Sequence, residues 1–72
     1  MTARPVKHSL TLRGHRTSVS LEAAFWDAFR AIADDRGIPL NVLAAEIDAA
    51  RTGDAGLASA IRVFVLAHYR GT

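Results

Sequence analysis

The sequence predicts a mainly α domain that opens with a short β-ribbon and is completed by a second copy of itself. Three observations carry this reading. Arg16-Thr17-Ser18-Val19-Ser20-Leu21 alternates polar and apolar residues and feeds directly into an amphipathic helical pattern. Two more helical patterns follow, with no later strand signal. The chain has 72 residues and no cysteine, and a domain so small, without disulfides, commonly relies on association. A strand with no partner of its own leaves an edge that invites another chain. The simplest resolution is a two-fold homodimer in which this strand pairs with its copy.

Met1 to Lys7 reads as a flexible basic arm, with Pro5 discouraging regular structure. His8 to Arg13 alternates polar and apolar residues, which is a strand pattern. Residues 1–13 are therefore read as a basic arm with a possible extra strand, and 14–72 as the folded domain. Gly14-His15 would suit the loop of a type II′ hairpin. That register sets Arg13 opposite Arg16, and like charges across a ladder are unfavourable, so an open loop is the alternative. In the second run Thr17, Val19 and Leu21 share one face, and Arg16, Ser18 and Ser20 share the other.

Ser20 is placed to cap the first helix, expected from about Glu22 to Arg36, with Glu22 where the helix dipole favours an acid. Leu21, Phe25, Ala28, Phe29 and Ile32 recur at helical spacing as its buried stripe, flanked by Trp26. Gly37 supplies a left-handed C-terminal cap. The second helix is expected from Pro39, which suits a first turn, to about Arg51, with Leu40, Leu43, Ala44 and Ile47 inward. Thr52 to Gly56 is a turn. The third helix is expected from Leu57 to Tyr69. Its stripe is Leu57, Ile61, Phe64, Val65 and His68, widened by Ala60 and Val63, which suits broad burial or a subunit contact.

The net charge of +2 is unevenly placed. Residues 1–16 hold Arg4, Lys7, Arg13, Arg16, His8 and His15 with no acid, whereas the rest holds five arginines against seven acids. A basic arm on a slightly acidic body favours an acidic partner, most commonly nucleic acid. Other classes are poorly served. No apolar run approaches the length of a membrane span and no signal-peptide core is present, so a soluble, cytoplasmic protein without membrane contact is expected. His8, His15 and His68 lack metal-ligand spacing. No cysteine nucleophile or glycine-rich phosphate loop occurs, so neither an enzyme nor a cofactor is expected. The phenylalanines and Trp26 read as core rather than base-stacking residues.

The strand, helix, glycine turn and helix from Arg16 to Ile47 resemble the ribbon–helix–helix superfamily of bacterial and phage DNA-binding proteins. Gly14-His15-Arg16-Thr17-Ser18-Val19-Ser20-Leu21-Glu22 with Phe25-Trp26, and Leu57 to Val65, resemble more narrowly a group of short bacterial members. The resemblance implies a homodimer whose antiparallel ribbon enters the major groove of double-stranded DNA. Arg16, Ser18 and Ser20 would then read bases. Arginine pairs with guanine in bidentate fashion and serine with several bases. It also implies a phosphate clamp at the second helix's N-terminus, through the N–H groups of Leu40 and Asn41 with the Asn41 side chain as helper. Pro39 stands where many members have Ser or Thr and removes a donor. Arg4, Lys7, Arg13 and His15 are the expected contacts to phosphates, which add affinity rather than sequence information. The competing reading of Arg16, Ser18 and Ser20 is a merely solvated face. The expected function is a small transcriptional regulator. The alternative is an antitoxin-like dimeric module whose third helix binds a protein partner.

Overall fold

The computed structural model describes residues 4–71; Met1 to Ala3 of the expected basic arm, and Thr72, lie outside the described residues. Two strands come first, β1 (Val6–Leu12) and β2 (His15–Leu21), then α1 (Ala23–Arg36), α2 (Leu40–Ala50) and α3 (Leu57–Arg70). The architecture is the mainly helical one expected, with an N-terminal ribbon and an additional C-terminal helix.

The ribbon departs from expectation in where it finds its second strand. β2 pairs antiparallel with β1 of its own chain over its whole length, from Val6 opposite Leu21 to Leu12 opposite His15. The expectation that β2 has no partner within its chain is thus overturned. The alternation seen at His8 to Arg13 is a strand, and it begins earlier, at Val6, directly after Pro5. Val6 and Lys7 therefore belong to the ladder rather than to a flexible arm.

The turn also differs. Arg13 and Gly14 form the loop, not Gly14 and His15, and both have positive φ, 53° and 84°. Two left-handed residues make a type I′ turn, whose twist matches that of the strands it joins. Glycine adopts this conformation without strain and arginine rarely does. The resulting register removes the feared repulsion, because Arg16 now faces Thr11 while Arg13 sits in the turn.

One ribbon face closes the core. Leu10, Val19 and Leu21 are buried with Phe29, Ile32 and Ala33 of α1, Leu43, Ala44 and Ile47 of α2, and Ile61 and Val65 of α3. Burying these apolar side chains contributes on the order of 1.5–3 kcal/mol each for the larger ones. Two stripe assignments on α3 are corrected. Val63 and His68 are exposed, because the face of a single helix turned to the core is filled by Ile61 and Val65, with Leu57 and Phe64 at its margin.

Helix ends follow local chemistry. α1 is capped by Glu22 rather than Ser20, and no side chain bonds the cap. Ser20 and Leu21 remain paired with Lys7 and Val6, so the ladder delays helix entry. At the other end Gly37 has φ 67°. Its N–H donates to the Asp34 carbonyl at 3.0 Å, and the Ile38 N–H donates to Ala33 at 3.1 Å. These two bonds satisfy carbonyls that a bare helix end would orphan. A Cβ at Gly37 would meet no atom within 4 Å, so its cost is conformational alone. Gly37→Ala is expected to lose about 1 kcal/mol, measurable as a lower denaturation midpoint with an unchanged m-value.

Candidate nucleic-acid interface

The register that sends Leu10, Val19 and Leu21 inward sends the alternate residues outward. Arg16, Ser18 and Ser20 are all exposed on the face opposite the core. Directly across the ladder stand Thr11, Ser9 and Lys7, also exposed. Ser9 and Thr11 were not singled out by sequence reasoning. The alternation of His8 to Arg13 is the signal that would have found them, since it puts Ser9 and Thr11 together on one face of the neighbouring strand.

A two-residue turn makes its flanking pair, Leu12 and His15, the hydrogen-bonded kind, and pairs then alternate along the ladder. The three outward pairs are therefore non-hydrogen-bonded pairs, whose side chains lie closer together and whose backbone groups point to the ribbon's outer edges. Each edge is touched at one backbone group by a helix side chain. On the β1 side the Thr11 N–H donates to Asn41 Oδ1 at 3.1 Å. On the β2 side Arg62 Nη2 donates to the Ser20 carbonyl at 3.4 Å. Arg62 also grips Glu22, with Nε donating to Oε1 at 2.9 Å and Nη2 to Oε2 at 3.2 Å. It lies 5.9 Å from the Phe25 ring centre. The hydrogen-bonded Arg62 guanidinium holds the Glu22 carboxyl below the usual carboxylate range. Arg62 too escaped the sequence reading, since its partners lie some forty residues away.

Asn41, expected beside a phosphate, thus has its side-chain oxygen engaged by β1. It sits in the first turn of α2 behind Pro39, whose carbonyl accepts from the Val42 and Leu43 N–H groups at 3.0 and 3.2 Å. The Leu40 and Asn41 N–H groups stand before that first intrahelical bond, where a helix leaves its donors open. This helix end flanks the ribbon beside Thr11.

The cations of the ribbon are unneutralised. The ion pairs among the described residues are Arg36 with Glu46, Arg51 with Asp48 and Arg62 with Glu22. None involves Arg4, Lys7, Arg13 or Arg16. Arg13, His15 and Arg16 line one side of a groove of about 570 Å³ at the ribbon tip, across from Asp48 and Arg51 of α2.

The histidines are dispersed. His8 stacks on Trp26 of α1, with ring centres 3.7 Å apart and planes 2° from parallel. His15 is exposed beside the turn, and His68 meets the edge of Tyr69. Trp26, expected to flank the core, does so while holding β1 against α1. No helix among the described residues is long and apolar enough to cross a membrane.

No curated protein and no solved structure matches the chain. The model of one family, described as the ribbon-helix-helix domain, matches it from residue 5 to residue 69, from the start of the ribbon almost to the end of α3. With that match spanning nearly its whole length, the chain belongs to the ribbon–helix–helix domain family.

Proposed function

We propose that the protein binds double-stranded DNA with sequence preference and acts as a small, non-enzymatic transcriptional regulator in the bacterial cytoplasm. The family consists generally of DNA-binding regulators. The observation that carries the reading here is the ribbon's outer face, which is polar throughout and bears cations without acidic partners. Arg16, Ser18 and Ser20 read base edges in the major groove. Arg4, Lys7, Arg13 and His15 hold flanking phosphates, together with the Leu40 and Asn41 N–H groups at the start of α2. The working species is a homodimer. Two surfaces are open to a second copy, the outer edge of β2 and the α3 face bearing Val63, Leu66 and Tyr69, which are 67%, 54% and 62% exposed.

Arg16→Ala is expected to reduce discrimination between the preferred and random duplexes, whereas Arg4→Ala or Lys7→Ala weakens both about equally. Fluorescence anisotropy with the two duplexes separates these outcomes. Equal loss on both for Arg16→Ala would remove the base-reading role.

The apolar α3 face favours a second reading, an antitoxin-like dimeric module that docks another protein through α3. Exposed apolar surface of this kind marks interaction sites when it is contiguous. A complex that survives high salt would support it.

A further inference from the structure

We propose that Arg62 of α3 is a positioning residue for the DNA-reading face, holding Ser20 in place by gripping the junction where β2 becomes α1. This rests on the DNA-binding reading above and goes beyond it, because it gives the third helix a part in recognition.

The junction is short and weakly held by its neighbours on the ladder. β2 ends at Leu21 and α1 begins at Ala23, so Glu22 alone joins them. The ladder stops at Val6 opposite Leu21. Val6 is 50% exposed, and Pro5 before it has no N–H with which to extend the pairing. Ser20 is the outward residue of β2 nearest this open end, whereas Arg16 lies beside the closed turn. At strand rise the two stand roughly 13 Å apart. Fraying begins at open ends, so it reaches Ser20 before Arg16.

Arg62 spans the junction. Its Nη2 donates to the Ser20 carbonyl at 3.4 Å, on one side of Leu21. On the other side, Nε and Nη2 donate to the two Glu22 carboxylate oxygens at 2.9 and 3.2 Å. A two-pronged bond from guanidinium to carboxylate fixes direction as well as distance. The guanidinium also stands over the Phe25 ring, one turn into α1. Leu21, between the two gripped residues, is buried in the core. The end of β2 is thus held from its core side and from its edge.

Two comparisons set this pair apart. Its side chains are 31% and 28% exposed, and the Arg36–Glu46 and Arg51–Asp48 pairs are both more open to water, which weakens an ion pair. Glu22 also occupies the N-cap of α1, where a side-chain oxygen commonly takes a free helix N–H. No side chain bonds that cap; the carboxylate is turned to Arg62 instead. The grip takes the Ser20 carbonyl at the end of the strand and leaves the edge groups of Arg16 and Ser18 to a second copy.

Selection from randomised duplex DNA tests the proposal. Arg16→Ala and Ser20→Ala show which base positions each residue reads. Arg62→Met keeps an apolar stem beside Phe25 and removes the donors. It is expected to lose roughly five-fold in preference at the Ser20 positions, the lower range for a good base contact, and to keep the preference at the Arg16 positions. Its melting temperature should stay within about 5 °C of the parent's, since a partly exposed ion pair contributes little. Arg62→Lys, whose ammonium offers donors to both acceptors, is expected to recover most of the preference. Should Arg62→Met not fold, Glu22→Gln weakens the same pair from its other end, with the same site-confined loss expected. Equal loss at both sets of positions would mean a general structural role and overturn the proposal. An unchanged selection by Arg62→Met or by Ser20→Ala would overturn it too, with the DNA-binding reading intact. A parent that selects no sequence would remove that reading and the positioning role with it. A second measurement needs no DNA. In amide NMR spectra Arg62→Met should displace the signals of Ser20 to Phe25 and leave those of Arg13 and Gly14 in place. Displacement spread to Leu43, Ala44 and Ile47 would overturn the positioning role.

Discussion

Phe29→Ala is expected to cost about 3–5 kcal/mol of folding free energy, the usual range for removing a buried phenylalanine. Phe29 is 0% exposed and heads the fully buried side chains by volume. Its ring meets Trp26 edge-on, with centres 6.0 Å apart, a geometry that adds to area burial. Trp26 in turn carries His8, so the loss reaches the ribbon through one intermediate ring. A 72-residue domain has roughly 4–11 kcal/mol in all. The substitution therefore removes a large share of it, and a substantial unfolded population is expected. Urea denaturation followed by circular dichroism measures the effect, with Thr52→Ala in the exposed turn after α2 as a control expected within about 0.5 kcal/mol. A loss below about 1 kcal/mol would mean that the three helices and the ribbon do not close on Phe29 as described. Repeating the melt at several protein concentrations separates folding from assembly, because a dimer's stability depends on concentration.

Legibility in the sequence followed the range of the interaction. The Gly37 cap and the Leu43, Ala44 and Ile47 stripe of α2 are local patterns, and the structure has them where the spacing placed them. The start of α1 falls within one residue of the expected one, and only its cap differs, because two local preferences compete. Ser20 is a good cap, yet its pairing with Lys7 held it in the ladder. The turn was misread for a related reason. Asn-Gly and Asp-Gly announce a type I′ turn, whereas Arg13 at φ 53° gives no such notice. One residue of turn placement then decided the register, and with it which β1 residue faces Arg16. The outward face of β2 was legible from alternation alone. Its companions Ser9 and Thr11 were legible from the alternation of β1 once the hairpin is accepted, whereas the Arg62 contacts to Ser20 and Glu22 depend on long-range pairing that no local pattern encodes.

The same geometry sets how DNA binding should respond to salt. Arg4, Lys7 and Arg13 lack acidic partners among the described residues, so no intramolecular ion pair must break before they meet phosphates. If each neutralises one phosphate, log affinity falls with log salt with a slope of about −2.7 per chain. Between about 50 and 200 mM salt that is roughly a forty-fold loss for one chain and roughly two-thousand-fold for two acting together. The slope thus reports the number of chains on the duplex as well as the mechanism. Arg4→Ala should make it shallower by about one per chain. Ser18→Ala, which removes a hydroxyl and no charge, should leave it unchanged while altering the preferred sequence. Anisotropy titrations across this range check all three outcomes. A slope near zero for the parent protein would sink the electrostatic role of these cations and turn attention to the apolar face of α3, since burial of apolar surface does not release counterions.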